Sequence, residues 1–202
     1  IRVHSCSKII SKFIKLLEVF MEKTLSYTQT RQKTLSIAIT AMLISLVFIA
    51  TLFLNIKLPI KANGGLVHLG TAMLFIVSIL FGAKKGAVAG AVGMGLFDVV
   101  GGWLIWAPIT IVARGVQGFI VGKIAWANGR KGDNLALNIV AMIISMPVML
   151  AVYYIGEVIL YNNWIAPLAS IPGDIIQNML GLIVAIPVCL FLKKTPVFKN
   201  KL

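Results

Sequence analysis

Residues 134–160 read NLALNIVAMIISMPVMLAVYYIGEVIL, and this stretch decides the class of fold. Glu157 is its only charged side chain. A helix needs about 20 predominantly apolar residues to cross the hydrocarbon core of a bilayer, which is about 30 Å thick. A segment of this length and character is typical of a transmembrane helix rather than of a soluble domain.

Five other stretches of the 202-residue chain are similarly apolar, and 59% of all residues are hydrophobic while 12% are charged. The six predicted spans are 34–54, 66–82, 86–106, 108–127, 134–160 and 173–192. They use most of the chain and leave no room for a separate soluble domain. We therefore predict an all-α integral membrane protein, in which residues 34–192 form a bundle of six transmembrane helices. A basic N-terminal segment, 1–33, precedes this domain, and a basic tail, 193–202, follows it.

The formal net charge of +13 is distributed unevenly along the chain. Basic residues precede the first span, separate spans two and three, surround the gap between spans four and five, and follow span six. The opposite connections hold only Lys57 and Lys61. Since cytoplasmic loops of membrane proteins carry an excess of Lys and Arg, both termini are predicted to be cytoplasmic. These orientation signals account for the charge, which argues against a nucleic-acid partner.

Residues 8–20 of the N-terminal segment fit a short amphipathic helix with Lys8, Lys12 and Lys15 on one face. Such a helix is able to lie on an anionic membrane surface. The first methionine is Met21, so the alternative is that translation begins there. We assign no function to this segment.

Five titratable side chains lie inside or at the edges of the predicted spans: His68, Asp98, Arg114, Glu157 and Asp174. An ionisable group at the centre of a membrane helix costs about 2.5–3.5 kcal/mol on insertion scales, so such groups usually have a role. The predicted topology brings all five toward the outer side of the membrane, while the inner halves of the same helices are apolar or small. This asymmetry predicts a polar pocket open to the outside rather than a pore.

The predicted pocket combines polar groups with aromatic rings that stack on flat ligands. Tyr153, Glu157 and Tyr161 follow one another at i, i+4 and i+8 and share a helix face. Asp174 and Gln177 share another, although Asp174 also suits a helix N-cap and the tyrosines an interfacial belt. The candidate substrate-binding residues are Asn63, His68, Trp103, Arg114, Gln117, Tyr153, Glu157, Trp164, Asp174 and Gln177.

Small residues recur at helical spacing in three places. Gly82-x-x-x-Gly86-x-x-x-Gly90 forms a stripe without side chains, and span four carries a second glycine surface; both allow membrane helices to approach closely. In span one, Ala41-x-x-x-Ser45 serves either internal packing or the docking of another membrane subunit. The candidate partner-docking residues are Ala38, Ala41 and Ser45.

Other classes of protein lack their usual signatures in this sequence. There is no H-E-x-x-H or G-x-S-x-G motif and the carboxylates are scattered, which disfavours an integral-membrane enzyme. We find no pair of equivalent halves with broken helices, the arrangement that would favour a stand-alone secondary transporter. The positions of Cys6 and Cys189 predict neither a disulfide nor a metal site, and no bound cofactor is expected.

Four segments, in this order, resemble one known family: Gly65-Leu-Val-His-Leu-Gly70, Leu80-Phe-Gly-Ala-Lys-Lys-Gly86, Gly90 through Asp98, and Arg114-Gly-Val-Gln-Gly118. They resemble the substrate-binding S components of energy-coupling factor (ECF) vitamin transporters, over about residues 34–192. The predicted six spans and cytoplasmic termini fit that family as well. Within it, the chain looks most similar to the hydroxymethylpyrimidine/pyridoxine group, with the riboflavin group as the alternative.

The resemblance implies a multi-pass subunit of a bacterial plasma membrane that captures a small vitamin or vitamin precursor from outside. The vitamin would be bound near the outer surface, by the loops after spans one, three and five and by spans four to six. The subunit would then dock on a membrane coupling subunit driven by two cytoplasmic ATPases. The family's Ala-x-x-x-Ala docking motif is here Ala41-x-x-x-Ser45. Since no nucleotide-binding loop is present in this sequence, ATP would be used by the partner subunits.

Overall fold

A computed structural model of the chain describes the backbone of residues 2–53, 55–57 and 66–195, and the side chains of residues 28–53 and 68–195. Residues 1–39 and 40–202 form two separate compact units, and every contact given below lies within the second. The helices are α1 (Arg2–Phe53), α2 (Gly70–Phe81), α3 (Ala83–Val100), α4 (Ala107–Ala125), α5 (Leu135–Tyr161) and α6 (Ile171–Lys194). Asn63 and the tail beyond residue 195 lie outside the described residues.

Four segments of the described chain are long and apolar enough to cross a membrane: Thr28–Phe53, Ala107–Ala125, Leu135–Tyr161 and Ala166–Lys194. They correspond to predicted spans one, four, five and six. The helices α4, α5 and α6 begin and end within two residues of the predicted bounds. The prediction of a helical membrane protein is therefore confirmed.

The predicted spans two and three differ most from the structure. With 12 residues, α2 is about 18 Å long, which is shorter than a bilayer core. It starts late because residues 66–68 are an extended strand instead of a first helical turn. α3 starts three residues earlier than predicted and ends at Val100. Gly102 follows with a φ of 84°, a left-handed conformation that favours glycine and that an α-helix does not continue through.

A short hairpin is the one departure from all-α structure in the described chain. Strand β1 (Asn55–Lys57) pairs antiparallel with strand β2 (Leu66–His68), and Asn55 lies opposite His68. Strand β1 lies in the connection between predicted spans one and two, and β2 takes the first three residues of predicted span two. They hold His68 two residues before the buried start of α2.

The helices α3 and α4 pack with their backbones in contact. A Cβ atom at Gly118 would lie 2.5 Å from the carbonyl oxygen of Gly86, and one at Gly122 would overlap the backbone of Ala83. The predicted glycine stripe of α3 thus meets the glycine surface of α4, as small residues allow in membrane helices. This contact fixes α4, which carries Arg114 and Gln117, against the rest of the bundle.

Candidate functional site

Polar side chains from four helices meet in the interior of the bundle. The Arg114 cluster consists of Thr71, Thr110, Arg114, Gln117, Tyr153, Gln177 and Asn178. Helices α2, α4, α5 and α6 each contribute to it, and all its members except Tyr153 are buried. Because a membrane interior offers no water to polar groups, each of these side chains needs partners within the protein or in a ligand.

Arg114 is the centre of the cluster and is 3% exposed. Its Nη1 donates to the Gln117 side-chain oxygen at 2.9 Å and to the Thr71 hydroxyl at 3.3 Å. Its Nε donates to the Tyr153 hydroxyl at 3.3 Å, and the guanidinium carbon lies 5.2 Å from the centre of the Tyr153 ring. The guanidinium is thus held by partners on three helices, in a fixed orientation.

Two lines of hydrogen bonds leave Arg114. On one side, Gln117 Nε2 donates to Asn178 Oδ1 at 2.7 Å, and Asn178 Nδ2 donates to the backbone carbonyl of Asp174 at 2.7 Å. On the other side, the Tyr153 hydroxyl donates to the Thr110 hydroxyl at 3.1 Å. Each side chain receives a hydrogen bond and passes one on, an arrangement in which neighbouring bonds polarise one another.

His68 reaches the same cluster from the hairpin. Gln177 Nε2 donates to the Thr71 hydroxyl at 2.8 Å and lies 3.2 Å from His68 Nε2. Since an amide nitrogen only donates, His68 Nε2 is the acceptor in this contact. The His68 ring also lies 6.0 Å from the ring of Phe97, near the end of α3.

Two acidic residues lie near Arg114. Asp98 and Asp174 are both close enough to the guanidinium to interact with its charge. Asp98 is 9% exposed, whereas Asp174 is half-buried. Asp174 is not the N-cap of α6, because Ser170 occupies that position. Carboxyl groups at the ends of α3 and α6 therefore lie within range of the positive charge of the cluster.

Glu157 is buried, with 1% of its surface exposed. Its Oε2 accepts a hydrogen bond of 2.6 Å from the Ser170 hydroxyl. The two tyrosines predicted to share its helix face make separate ring contacts. Tyr153 turns to Arg114, and the Tyr161 ring packs at 6.0 Å against Trp106.

The two candidate tryptophans lie at the margin of the site. Trp103 is half-buried in the turn between α3 and α4, where its backbone N–H donates to the Asp98 carbonyl at 2.7 Å. Trp164 is 70% exposed, and its carbonyl accepts a hydrogen bond of 2.7 Å from the Tyr154 hydroxyl. Both rings retain exposed surface.

The structure brings together about half of the predicted substrate-binding residues. Those joined by side-chain hydrogen bonds are His68, Arg114, Gln117, Tyr153 and Gln177. Asp174 joins through its backbone, Glu157 has its own contact with Ser170, and Asn63 lies outside the described residues.

Three members of the cluster were not among the predicted substrate-binding residues: Thr71, Thr110 and Asn178. A threonine in an apolar helix usually bonds to a carbonyl of its own helix, as Thr51 does to Val47 at 2.7 Å. Nothing in the sequence around the two threonines distinguishes them from this common case. Asn178 was the more visible omission, because it shares a helix face with Asp174.

The predicted docking residues lie on an exposed face. Ala38, Ala41 and Ser45 are all exposed, and the Ser45 hydroxyl donates to the Ala41 carbonyl at 3.0 Å. The opposite face of α1 packs inward, where Val47 contacts Gly93. Internal packing, one of the two roles considered for Ala41 and Ser45, is therefore not what these residues do in this chain.

The arrangement suits recognition of a small polar molecule. Amides, hydroxyls, an imidazole and a guanidinium are able to bond to ring nitrogens, carbonyls and hydroxyls. In the described parts of the chain, no group of three His, Cys, Asp or Glu side chains is placed to hold a metal ion.

Comparison with known proteins identifies the family. A family model described as "ECF-type riboflavin transporter, S component" matches residues 31–194. A Pyrococcus woesei protein described as "Uncharacterized protein in gap 3'region" is 32% identical over 139 residues, which are 69% of this chain and 90% of that relative. An S component is the substrate-binding membrane subunit of a transporter, and this is not a class of enzyme. The chain therefore belongs to the family of ECF-type riboflavin transporter S components.

Proposed function

We propose that this chain binds riboflavin at the outer side of the membrane and delivers it to the cytoplasm by docking on an ATPase-driven coupling subunit. The Arg114 cluster is the observation that carries the proposal. It gathers buried hydrogen-bonding groups from four helices beside exposed aromatic surface, as a flat ligand with polar edges requires. The description of the family model supports riboflavin as that ligand.

The proposal includes the orientation and partners that the sequence indicated. The basic connections favour six spans with cytoplasmic termini in a bacterial plasma membrane. The partners are one membrane coupling subunit and two ATPase subunits, which use the ATP. The exposure of Ala41 and Ser45 supports a docking role for this face of α1.

Hydroxymethylpyrimidine or pyridoxine is the second candidate substrate, and it was the one favoured by the four motif segments. The pairing of His68 with Gln177 supports it, because these groups match the ring nitrogen and hydroxyls of such a small heterocycle. Both candidates require the same cluster, so a direct comparison of affinities separates them.

Calorimetric titration of the purified, vitamin-free protein tests the substrate. Riboflavin, hydroxymethylpyrimidine and pyridoxine are titrated in turn, and the ligand released from freshly purified protein is identified by mass spectrometry. We expect riboflavin to bind most tightly and to be the released molecule. Tighter binding of hydroxymethylpyrimidine or pyridoxine would assign the second candidate, and failure of all three to bind would contradict a vitamin site.

A bulky residue on α1 tests the docking face. Ala41→Trp should reduce co-purification with the coupling subunit and its ATPases, because the small-residue surface would no longer allow close helix contact. Val140→Trp, on an exposed position of α5, is the matched control. Equal recovery of the complex with both variants would reject this face of α1 as the docking surface.

A further inference from the structure

Asp98 has an unsatisfied oxygen beside the Arg114 cluster. The side chain is 9% exposed, and its Oδ2 has no hydrogen-bond partner among the residues that the structure describes. A buried carboxylate oxygen without a donor is destabilising, and buried polar atoms in proteins are rarely left in that state. Asp98 was not among the predicted substrate-binding residues.

The donors of the neighbouring Arg114 cluster already serve other acceptors. The Tyr153 hydroxyl donates to Thr110, and Arg114 donates to Thr71, Gln117 and Tyr153. The Thr110 hydroxyl lies near the Asp98 carboxylate, and Oδ2 has no hydrogen-bond partner among the described residues. A further donor is therefore needed at this oxygen.

The position of Asp98 makes a ligand the natural source of that donor. The residue is near the end of α3, its carbonyl accepts the backbone N–H of Trp103, and the neighbouring Phe97 ring faces His68. Asp98 is thus tied to Trp103 through its backbone and lies close enough to Arg114 to interact with the charge of the cluster. We infer that Asp98 Oδ2 accepts a hydrogen bond from the bound vitamin, from the imide N–H or a ribityl hydroxyl of riboflavin. This inference rests on the proposed function, since it names one contact of that site.

A set of variants and analogues tests the contact. Riboflavin, 3-methylriboflavin (which lacks the imide N–H) and lumiflavin (which lacks the ribityl chain) are titrated into wild type, Asp98→Ala, Asp98→Asn and Asp133→Asn. We expect Asp98→Ala to weaken riboflavin binding by about tenfold or more, as loss of a hydrogen bond to a charged group does. Asp98→Asn should bind with intermediate affinity because its amide retains an acceptor oxygen. Asp133→Asn, whose carboxylate pairs with Lys193 instead, should bind riboflavin as wild type does.

The analogues separate a direct contact from a structural effect. The analogue that lacks the relevant donor should lose affinity for wild type but much less for Asp98→Ala, because the partner oxygen is already gone. Thermal unfolding of the unliganded variants shows whether they fold, and Asp98→Asn serves if the alanine variant does not. Riboflavin affinities equal to wild type in both Asp98 variants, or equal losses for each analogue in wild type and variant, would overturn the inference. Failure of wild type to bind any flavin would instead reject the proposed function, and the inference with it.

Discussion

Two faces of α4 stabilise the protein by different interactions, one by backbone packing and the other by side-chain hydrogen bonds. One face meets α3 through glycines, so that Gly118 lies directly on the Gly86 backbone. The other face carries Arg114 and Gln117, whose side chains reach α2, α5 and α6 through hydrogen bonds. The two faces are adjacent in sequence, since Gln117 and Gly118 are neighbours.

The difference shows how geometry and chemistry are divided within one membrane helix. The glycine face offers no side chain that could bind a ligand, but it allows close backbone packing and so fixes the position of α4. The polar face offers many donors and acceptors and depends on that position, because hydrogen bonds weaken steeply when their geometry changes. Damage to the first face should therefore abolish the fold, while damage to the second should weaken it and impair ligand binding.

The largest effect is expected for Gly118→Leu. Its Cβ would meet the Gly86 carbonyl oxygen at 2.5 Å, and a backbone atom cannot move aside as the end of a side chain does. We expect a cost of more than about 3 kcal/mol from overpacking, seen as loss of a monodisperse peak in detergent. Gly173→Leu is the matched control, because a Cβ there meets nothing within 4 Å. Equal yields of folded protein from the two variants would show that α3 and α4 tolerate separation.

The next largest effect is expected for Arg114→Ala. The substitution removes a donor to Gln117, Thr71 and Tyr153, and the buried Gln117 oxygen loses its hydrogen bond, which is destabilising. We expect a loss of about 2–3 kcal/mol, measured as a lower unfolding temperature in detergent, together with loss of vitamin binding. The exposed Arg130→Ala serves as control for removal of one positive charge. If the Arg114→Ala protein unfolds at the same temperature as wild type, the cluster does not stabilise the bundle.

Glu157→Ala should reduce stability less than Arg114→Ala does, and its main effect should be on vitamin affinity. Glu157 accepts its hydrogen bond from Ser170, outside the Arg114 cluster, so its loss leaves the links between Arg114, Gln117 and Asn178 intact. We expect vitamin affinity to fall by about tenfold or more, or about 1.4 kcal/mol, while the bundle remains folded. Calorimetric titration measures the affinity. Ser170→Ala is the informative comparison: an identical loss in that variant would mean that Glu157 acts by holding Ser170 rather than by touching the vitamin.

The glycine face could be predicted from sequence more fully than the polar face. A stripe such as Gly82, Gly86 and Gly90 follows from helical spacing alone, because three residues four apart share one side of any helix. Charges such as Arg114 and Glu157 stand out too, since an apolar span otherwise excludes them. What a side chain contacts does not follow from spacing: Tyr153 and Tyr161 share a face of α5 with Glu157, yet the Tyr153 ring lies beside Arg114 and the Tyr161 ring packs on Trp106.

The remaining errors of the sequence-based prediction come from contacts between residues that are far apart in the sequence. The short α2 depends on the pairing of residues 55–57 with 66–68, and a run of apolar residues does not reveal that its first three are extended. Thr71 and Thr110 join the cluster because Arg114 and Tyr153 reach them from other helices. Their roles are set by the packing that the glycine face imposes and are not visible locally.

The smallest effect on stability is expected for Lys193, a positive charge whose partner carboxylate is exposed. Lys193 Nζ lies 2.6 Å from Asp133 Oδ1 and also donates to the Lys131 carbonyl, and Asp133 is exposed. Water and salt compete for such a pair, so Lys193→Ala should cost at most about 1 kcal/mol, and less in high salt. Unfolding temperatures at low and high ionic strength, with the exposed Lys194→Ala as control, measure this. A loss as large as that of Arg114→Ala would mean that burial of its partners is not what makes the Arg114 cluster stabilising, because a charge with an exposed partner would then contribute as much.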